Sequence, residues 1–288
     1  MEASMQKIWI VGSLGRIGQA LLKLLDVTEY ELFATDVDEV DISQETQVTK
    51  YMTMNRPDVV INCAGYHDAS LAENEKQDAD MAYKVNAVGV RNLAQAAQSI
   101  GAKLIQLSTD DVFSKPSQEP YNEFDEVAPA DIYGKSKYAG ERYVRELMTR
   151  YVIIRSSWVY GIGDDFLDEV IRAAKDDKAP VLTLKDNASA VPTSAAELAR
   201  IIKVFIDEDH YGIYHAVCSG GYCTRAEFAQ EILRLTGLSD QLRIEVPANA
   251  TEKYSVLDNM MLRITGLDCP ADWREALEAY LKETGGIE

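Results

Sequence analysis

Short apolar runs alternate with segments of three-to-four-residue apolar spacing through the first half of the chain. Ile8–Val11, Glu31–Thr35, Asp58–Asn62, Lys103–Leu107 and Tyr151–Arg155 read as strands. Between them, Leu21, Leu22, Leu24 and Leu25 fall at helical spacing, as do Val85, Val88, Leu93, Ala96 and Ala97, and later Tyr138, Tyr143, Val144 and Leu147. Strands that alternate with helices predict βαβ units and a mostly parallel, doubly wound α/β sheet. The alternation changes after Trp158. Helices are expected over Asp164–Lys175, Pro192–Phe205, Arg225–Leu235 and Trp273–Leu281, with short strands at Pro180–Leu184 and Gly212–Val217. Ser194 is the expected N-cap of the second of these helices, with Glu197 as its capping-box partner.

With 288 residues, 47% apolar and 26% charged, the chain can bury a sizeable core without disulfides or metals. The net charge of −18 and a pI near 4.6 argue against nucleic acid and anionic membrane surfaces as partners, because both would be repelled. An anionic ligand would need a local cluster of donors against that field. Cys63, Cys218, Cys223 and Cys269 form neither a C-x-x-C nor a zinc pattern. His67, His210 and His215 are scattered, so no metal site is expected. Met1–Lys7 lacks the charged-then-apolar order of a signal peptide, and no apolar stretch approaches a membrane span. The expected location is cytoplasmic.

The first candidate chemistry lies at Gly12, Gly15 and Gly18, with Arg16 and Ile17 between the last two. This loop follows the first strand and opens a helix. Glycines there permit a tight turn and close approach of a pyrophosphate, and the helix N-terminus offers free N–H groups and a positive dipole end. Glycines also make plain turns, and the strand–loop–helix placement is what favours binding. Asp36 ends the second strand, eighteen residues after Gly18. A carboxylate there accepts from ribose hydroxyls and repels a 2′-phosphate, which favours NADH over NADPH. Arg16 is the counter-argument, since it could pair with a 2′-phosphate. Asp41 and Ile42 could flank the adenine. Ala64, Gly65 and Tyr66 follow the third strand with small residues that let a cofactor pass near the backbone. Any one of these could be simple packing.

Tyr133 and Lys137 stand four residues apart and share a helix face. A carbonyl reduced by hydride needs a proton on its oxygen as charge develops. A free tyrosine, with a pKa of about 10, is a sluggish donor. A lysine ammonium beside it would stabilise the phenolate, lower that pKa and hold the nicotinamide ribose. Thr109 or Ser108, at the end of the fourth strand, could polarise the carbonyl. The Tyr–Lys spacing alone is common on exposed helix turns. The glycine loop upstream and the Ser-Thr at a strand end shift the balance to function. Trp158 suits stacking on a sugar or base and suits core packing equally well. Asn86, mid-helix among apolar residues, either bridges backbone groups near the site or is a satisfied helix asparagine.

These residues resemble the extended short-chain dehydrogenase/reductase superfamily and, more narrowly, the dTDP-4-dehydrorhamnose reductase family. The resemblance runs through Arg56–Ala64, Leu107–Asp110 with Val112-Phe113, Tyr133–Glu141, Arg155–Tyr160, Pro192-Thr193, Gly212–His215 and Ser255–Asp258, nearly the whole chain. It implies a Rossmann domain over residues 1–160 with a return near 190–217, and a smaller substrate lobe over 161–189 and 218–288. It implies NADH- or NADPH-dependent reduction of the 4-keto group of a nucleotide sugar, dTDP-4-dehydro-L-rhamnose, by a monomer or homodimer. Tyr133 matches the proton donor, Lys137 its partner and Thr109 the carbonyl-polarising hydroxyl. Asp110 and Trp158 fall where the family contacts substrate. Gly15, Arg16, Ile17, Asp36, Asp41, Ile42, Gly65, Tyr66 and His67 fall where it holds the cofactor. Departures concentrate on the substrate side. Asp111 replaces a tyrosine, Thr251-Glu252 replaces Arg-Pro, and Asp68–Glu73 lacks the usual pattern. Ala20 and Ala196 stand where some members place glutamates for a dimer-interface magnesium, so no such metal is expected. Two other functions share this frame: a nucleotide-sugar epimerase or dehydratase using Asp110 or Asp111, and a non-catalytic dinucleotide-binding regulatory subunit.

Overall fold

The computed structural model describes residues 5–66, 76–115, 117–176, 181–184 and 186–287. The first half alternates β1 (Gln6–Val11), α1 (Arg16–Leu24), β2 (Tyr30–Thr35), α2 (Glu45–Asn55), β3 (Val59–Asn62), α3 (Lys76–Tyr83), α4 (Val90–Ile100), β4 (Lys103–Thr109), α5 (Ile132–Leu147) and β5 (Tyr151–Ser156). There follow β6 (Val159–Tyr160), α6 (Phe166–Ala174), β7 (Val181–Thr183), β8 (Asp186–Ala190), β9 (Thr193–Ser194), α7 (Ala195–Asp207) and β10 (Gly212–His215). The chain ends with β11 (Cys223–Thr224), α8 (Arg225–Thr236), β12 (Arg243–Glu245), β13 (Thr251–Tyr254), α9 (Met260–Ile264) and α10 (Trp273–Glu283).

Six strands form one sheet in the order β2-β1-β3-β4-β5-β10, and every neighbouring pair is parallel. Alternate residues of β1 feed opposite faces. Ile8 and Ile10 pack with Leu21, Leu198, Ile202 and Phe205 from the α1 and α7 side. Trp9 and Val11 pack with Val48, Met52, Leu93 and Val144 from α2, α4 and α5. The strands are therefore buried on both faces, as a parallel sheet covered by helices requires. A third apolar cluster, with Phe113, Tyr121, Tyr160, Phe228, Trp273 and Leu277, sits under the C-terminal elements. There β8 is flanked by β11 and β13, and β7 pairs with β12. Among the described residues, no helix is long and apolar enough to cross a membrane.

Several boundaries differ from the sequence expectation, each for a local reason. β4 runs on to Thr109, because Ser108 and Thr109 pair with Arg155 and Ser156 of β5. The expected helix through Val85 and Leu93 is divided by a π-helical stretch over Lys84–Gly89. α7 begins at Ala195 rather than Pro192, since Thr193 and Ser194 pair first with Val159 and Tyr160. Ser194 does cap α7, accepting from the Ala196 N–H at 3.2 Å. Glu197 does not complete a capping box. It accepts instead from the Ala271 N–H at 2.9 Å and pairs with Arg200. The capping box lies at α8, between Thr224 and Glu227.

One buried polar network ties α5 to the sheet. Arg155 of β5 and Glu141 of α5 form two parallel hydrogen bonds, Nη2 to Oε2 at 2.7 Å and Nε to Oε1 at 2.9 Å, with both side chains essentially inaccessible to solvent. Ser108 of β4 donates to Glu141 Oε1 at 2.6 Å. The Arg155 guanidinium also lies 5.2 Å above the Phe113 ring and 3.4 Å from His215 Nε2. Burial and the adjacent guanidinium pull His215 down to about 3, so it is a neutral core histidine.

Removing one charge from a buried pair strands the other without solvent. Glu141→Gln is expected to lower unfolding free energy by about 3 kcal/mol, with Glu141→Gln/Arg155→Met recovering part of the loss. Urea denaturation checks this, and an unchanged midpoint for the single variant would count against a structural role for the pair.

Candidate active site

The crevice opens where β1 and β3 end, the point at which strand order reverses direction. Each glycine of the loop after β1 has a different task. Gly12 has φ +74°, and a Cβ there would stand 2.6 Å from the Ala64 backbone nitrogen, so β3's exit loop presses directly on it. A Cβ at Gly18 would stand 2.5 Å from the Gly12 carbonyl, so this glycine lets α1 close over the loop. Gly15 is exposed, with ordinary φ, and is the N-cap of α1. No side chain caps that helix and no acidic residue occupies its first turn. Its leading N–H groups, at Arg16, Ile17 and Gly18, are thus left for an anion, and the fit to a dinucleotide pyrophosphate is good.

The carboxylate of Asp36 braces this loop. Its Oδ2 accepts from the Leu14 N–H at 3.0 Å and its Oδ1 from the Val37 N–H at 2.8 Å. Asp41 accepts from the Ser43 N–H at 2.9 Å. Ile42 offers no face to a ligand. Its side chain is buried against Gly89, because the close approach of the π-helical stretch fills its surroundings. Val37, exposed beside Asp36, is the apolar surface available there, and an apolar residue directly after the strand-end carboxylate was its only sequence signal. Arg16 is engaged by the acidic turn before α6. Its guanidinium donates to the Asp164 carbonyl and stands 3.5 Å from Asp165. Ala64, Gly65 and Tyr66 line the β3 exit. His67 lies outside the described residues.

Asn86 holds that exit. It accepts from the Tyr66 N–H at 2.8 Å and donates to the Tyr66 carbonyl and to Ser136 Oγ, each at 2.9 Å. It therefore joins the cofactor-side loop to α5. Two glycines let α5 approach: a Cβ at Gly134 would stand 2.2 Å from the Asp111 carbonyl, and one at Gly140 would stand 2.2 Å from the Asn86 carbonyl. Asp131 caps α5 through the Gly134 N–H at 2.7 Å.

These contacts bring Tyr133, Lys137 and Thr109 to one strand end. Tyr133 is hydrogen-bonded to Thr109. Lys137 donates to the Leu107 carbonyl at 2.7 Å and lies beside Gly65. Burial draws the Lys137 ammonium down to about 8 against the opposing charge of Glu141. The sequence predicts a lowering of Tyr133 by Lys137; the net direction in this structure is upward. Burial raises Tyr133 above its usual range, Asp111 and Asp110 add to the rise, and the Thr109 hydrogen bond only partly opposes it. Lys137 has turned to the Leu107 carbonyl instead. The tyrosine is therefore a firmly protonated phenol.

Asp110 is buried next to Thr109, and burial with the neighbouring Asp111 charge pushes it up to about 7. Ser255 donates to its Oδ2. Asp111 bonds Thr109 and forms an ion pair with Lys253. Trp158, at the start of the C-terminal lobe, has the left-handed φ of +41°, a strained backbone for a bulky residue. One face of its ring is covered by the Arg225 guanidinium, 3.6 Å from the centroid, which also lies 4.7 Å from the Phe166 ring. Among the described residues no carboxylate reaches Arg225 within salt-bridge distance. Arg225 carries no signal in the sequence, and Lys253 and Ser255 receive no role there, because only the fold sets them opposite β4.

Known proteins match this arrangement along its length. The RmlD substrate binding domain profile matches residues 5–285. The dTDP-4-dehydrorhamnose reductase of Streptomyces griseus is 35% identical over 285 residues, covering 93% of this chain and 91% of its own. A solved dTDP-4-dehydrorhamnose reductase from Clostridium acetobutylicum superposes with a TM-score of 0.90 at 38% identity, covering 97% of this chain and all of the other. One from Bacillus anthracis, in complex with NADP, gives 0.89 at 34% identity, with 97% and 99% covered.

Gly15 is the glycine that best separates anion binding from folding, because a Cβ there meets only the Gly12 carbonyl, at 3.3 Å, against 2.6 Å at Gly12 and 2.5 Å at Gly18. Gly15→Val is expected to leave the melting temperature within a few degrees and weaken NADH or NADPH binding by about tenfold or more. Cofactor fluorescence titration reads this, and undiminished affinity would mean the loop is a plain turn.

Proposed function

The chain belongs to the dTDP-4-dehydrorhamnose reductase family, and on that footing we propose that it reduces the 4-keto group of a nucleotide sugar, dTDP-4-dehydro-L-rhamnose, to give dTDP-L-rhamnose. The observation that carries this is the meeting of Tyr133, Lys137 and Thr109 at the end of β4, beside an uncapped helix N-terminus suited to a dinucleotide. Residues 1–160 with the return near 190–217 hold the cofactor. Residues 161–189 and 218–288 hold the sugar nucleotide.

A bound nicotinamide cofactor supplies the hydride. The chain's own residues manage the oxygen. Thr109 orients the carbonyl, and Tyr133 gives its phenolic proton to that oxygen as negative charge develops. A proton donor must carry its proton before the hydride moves, and Tyr133 does; its raised value also makes it a weaker acid, so the charges around it matter. Lys137, beside Gly65 and still largely cationic below about 8, is placed to hold the cofactor ribose. Both carboxylates next to Thr109 already have partners in Ser255 and Lys253, which favours reduction over an epimerase or dehydratase using either as a base.

Asp36 and the engaged Arg16 favour NADH, whereas the Bacillus anthracis relative was solved with NADP. Val37 is the proposed adenine contact. On the sugar-nucleotide side, Arg225 on Trp158 is the cation we assign to the diphosphate. It supplies from α8 the positive charge that Thr251-Glu252 does not.

Purified protein should oxidise NADH or NADPH only when given the 4-keto sugar nucleotide, and Tyr133→Phe should lose at least about a hundredfold in kcat. Consumption of the keto sugar without cofactor oxidation would contradict the reductase assignment. A preference for NADPH of more than about tenfold would contradict the role given to Asp36. Arg225→Ala is expected to raise KM for the sugar nucleotide by about tenfold with KM for the cofactor unchanged. Equal effects on both would place Arg225 elsewhere.

A further inference from the structure

We infer that Lys253 is a positioning residue for the reduction: it holds Asp111, and through it the Thr109 hydroxyl, and it offsets the carboxylates that crowd Tyr133. The inference rests on the reductase assignment above.

Three carboxylates act on Tyr133. Asp110 and Asp111 belong to the turn after β4, and Asp131 caps the helix that carries the tyrosine. A phenolate formed among them is repelled by each, so an uncompensated cluster would make Tyr133 a poorer acid when the ketone needs its proton. β13 answers this geometrically. Lys253 and Ser255 lie two residues apart on extended chain and so face the same way. They meet two consecutive carboxylates: Lys253 pairs with Asp111 Oδ1, and Ser255 donates to Asp110 Oδ2. Lys253 also stands 3.8 Å from Asp131. The second Asp111 oxygen accepts from Thr109 Oγ1 at 3.1 Å. A continuous chain therefore runs from Lys253 through Asp111 and Thr109 to Tyr133. Burial would pull the Lys253 ammonium down, but Asp111, Asp110 and Asp131 together hold it above its ordinary value, so it remains charged. Arg225 is the other cation in the field of Asp110 and Asp111, and it lies on Trp158 without an ion pair to either. Only Lys253, among the described residues, forms an ion pair with this cluster.

Three variants separate a charge role from packing. Lys253→Met is expected to lower kcat about tenfold, as for a one-unit rise in the tyrosine pKa, with KM for the cofactor unchanged. Lys253→Arg should return to within about threefold of wild type. Adding Asp111→Asn to Lys253→Met should recover most of the lost rate, because it removes the charge left unpaired while keeping an acceptor for Thr109. Turnover is not the only readout. In the free protein, NMR titration of labelled aspartate carboxyls should find Asp110 at about 7 in wild type, higher in Lys253→Met and restored in Lys253→Arg. The inference is overturned if Lys253→Met keeps wild-type kcat, if Asp111→Asn recovers nothing in a folded double variant, or if the Asp110 titration does not move. If wild-type protein fails to oxidise cofactor with the keto sugar, the reductase assignment falls instead, and the titration still decides whether Lys253 compensates this cluster.

Discussion

Glu141 and Arg155 meet out of reach of water, and that contact holds α5, which carries Tyr133 and Lys137, against the end of β4. A guanidinium buried in the sheet must find a carboxylate, and the one within reach lies on α5, two turns beyond Tyr133. Two parallel hydrogen bonds fix both the distance and the rotation of that helix. Ser108 shares the same carboxylate, so the end of β4 is locked to the same point. With α5 held there, Lys137 reaches the Leu107 carbonyl and Tyr133 meets Thr109. Catalytic geometry set by a helix face against a strand end is stiffer than geometry set by loops.

The same contact explains where sequence reasoning stopped. Local signals carried far. Alternation in β1, the glycine loop, the Tyr–Lys spacing and the Ser194 cap depend on neighbours within a few residues, and such patterns survive in a linear string. Asn86 stood out as a polar residue among apolar ones, but that it bridges Tyr66 and Ser136 depends on a π-helical turn no spacing rule announces. Asp111 stands in the sequence only as a replacement for a tyrosine, because its partner Lys253 is 142 residues away and joined to it only by the fold. Arg16 and Ile42 likewise have neighbours that no local pattern announces, the Asp164–Asp165 turn and Gly89.

The acidic character of the chain also looks different in three dimensions. A net charge of −18 would oppose an anionic cofactor and an anionic substrate alike. At the site the negative charge is partitioned. The start of α1 presents N–H groups with no capping side chain and no acidic residue in its first turn, and Asp36 accepts from the Leu14 and Val37 N–H groups. On the other side, Lys253 and Ser255 hold the carboxylates that follow Thr109, and Arg225 lies on an aromatic platform with no ion pair among the described residues. A reductase can tolerate carboxylates beside its proton donor when they are themselves balanced by a facing cation, as Lys253 of β13 balances Asp111.

The central claim is that hydride reaches the sugar carbonyl while Tyr133 supplies the proton. Cofactor carrying deuterium at its transferable position tests it most directly, with the sugar nucleotide examined by NMR after complete conversion. The account predicts one deuterium at C4 of the product for each cofactor oxidised. Product without deuterium at C4, or substrate consumed while the cofactor stays reduced, would contradict it.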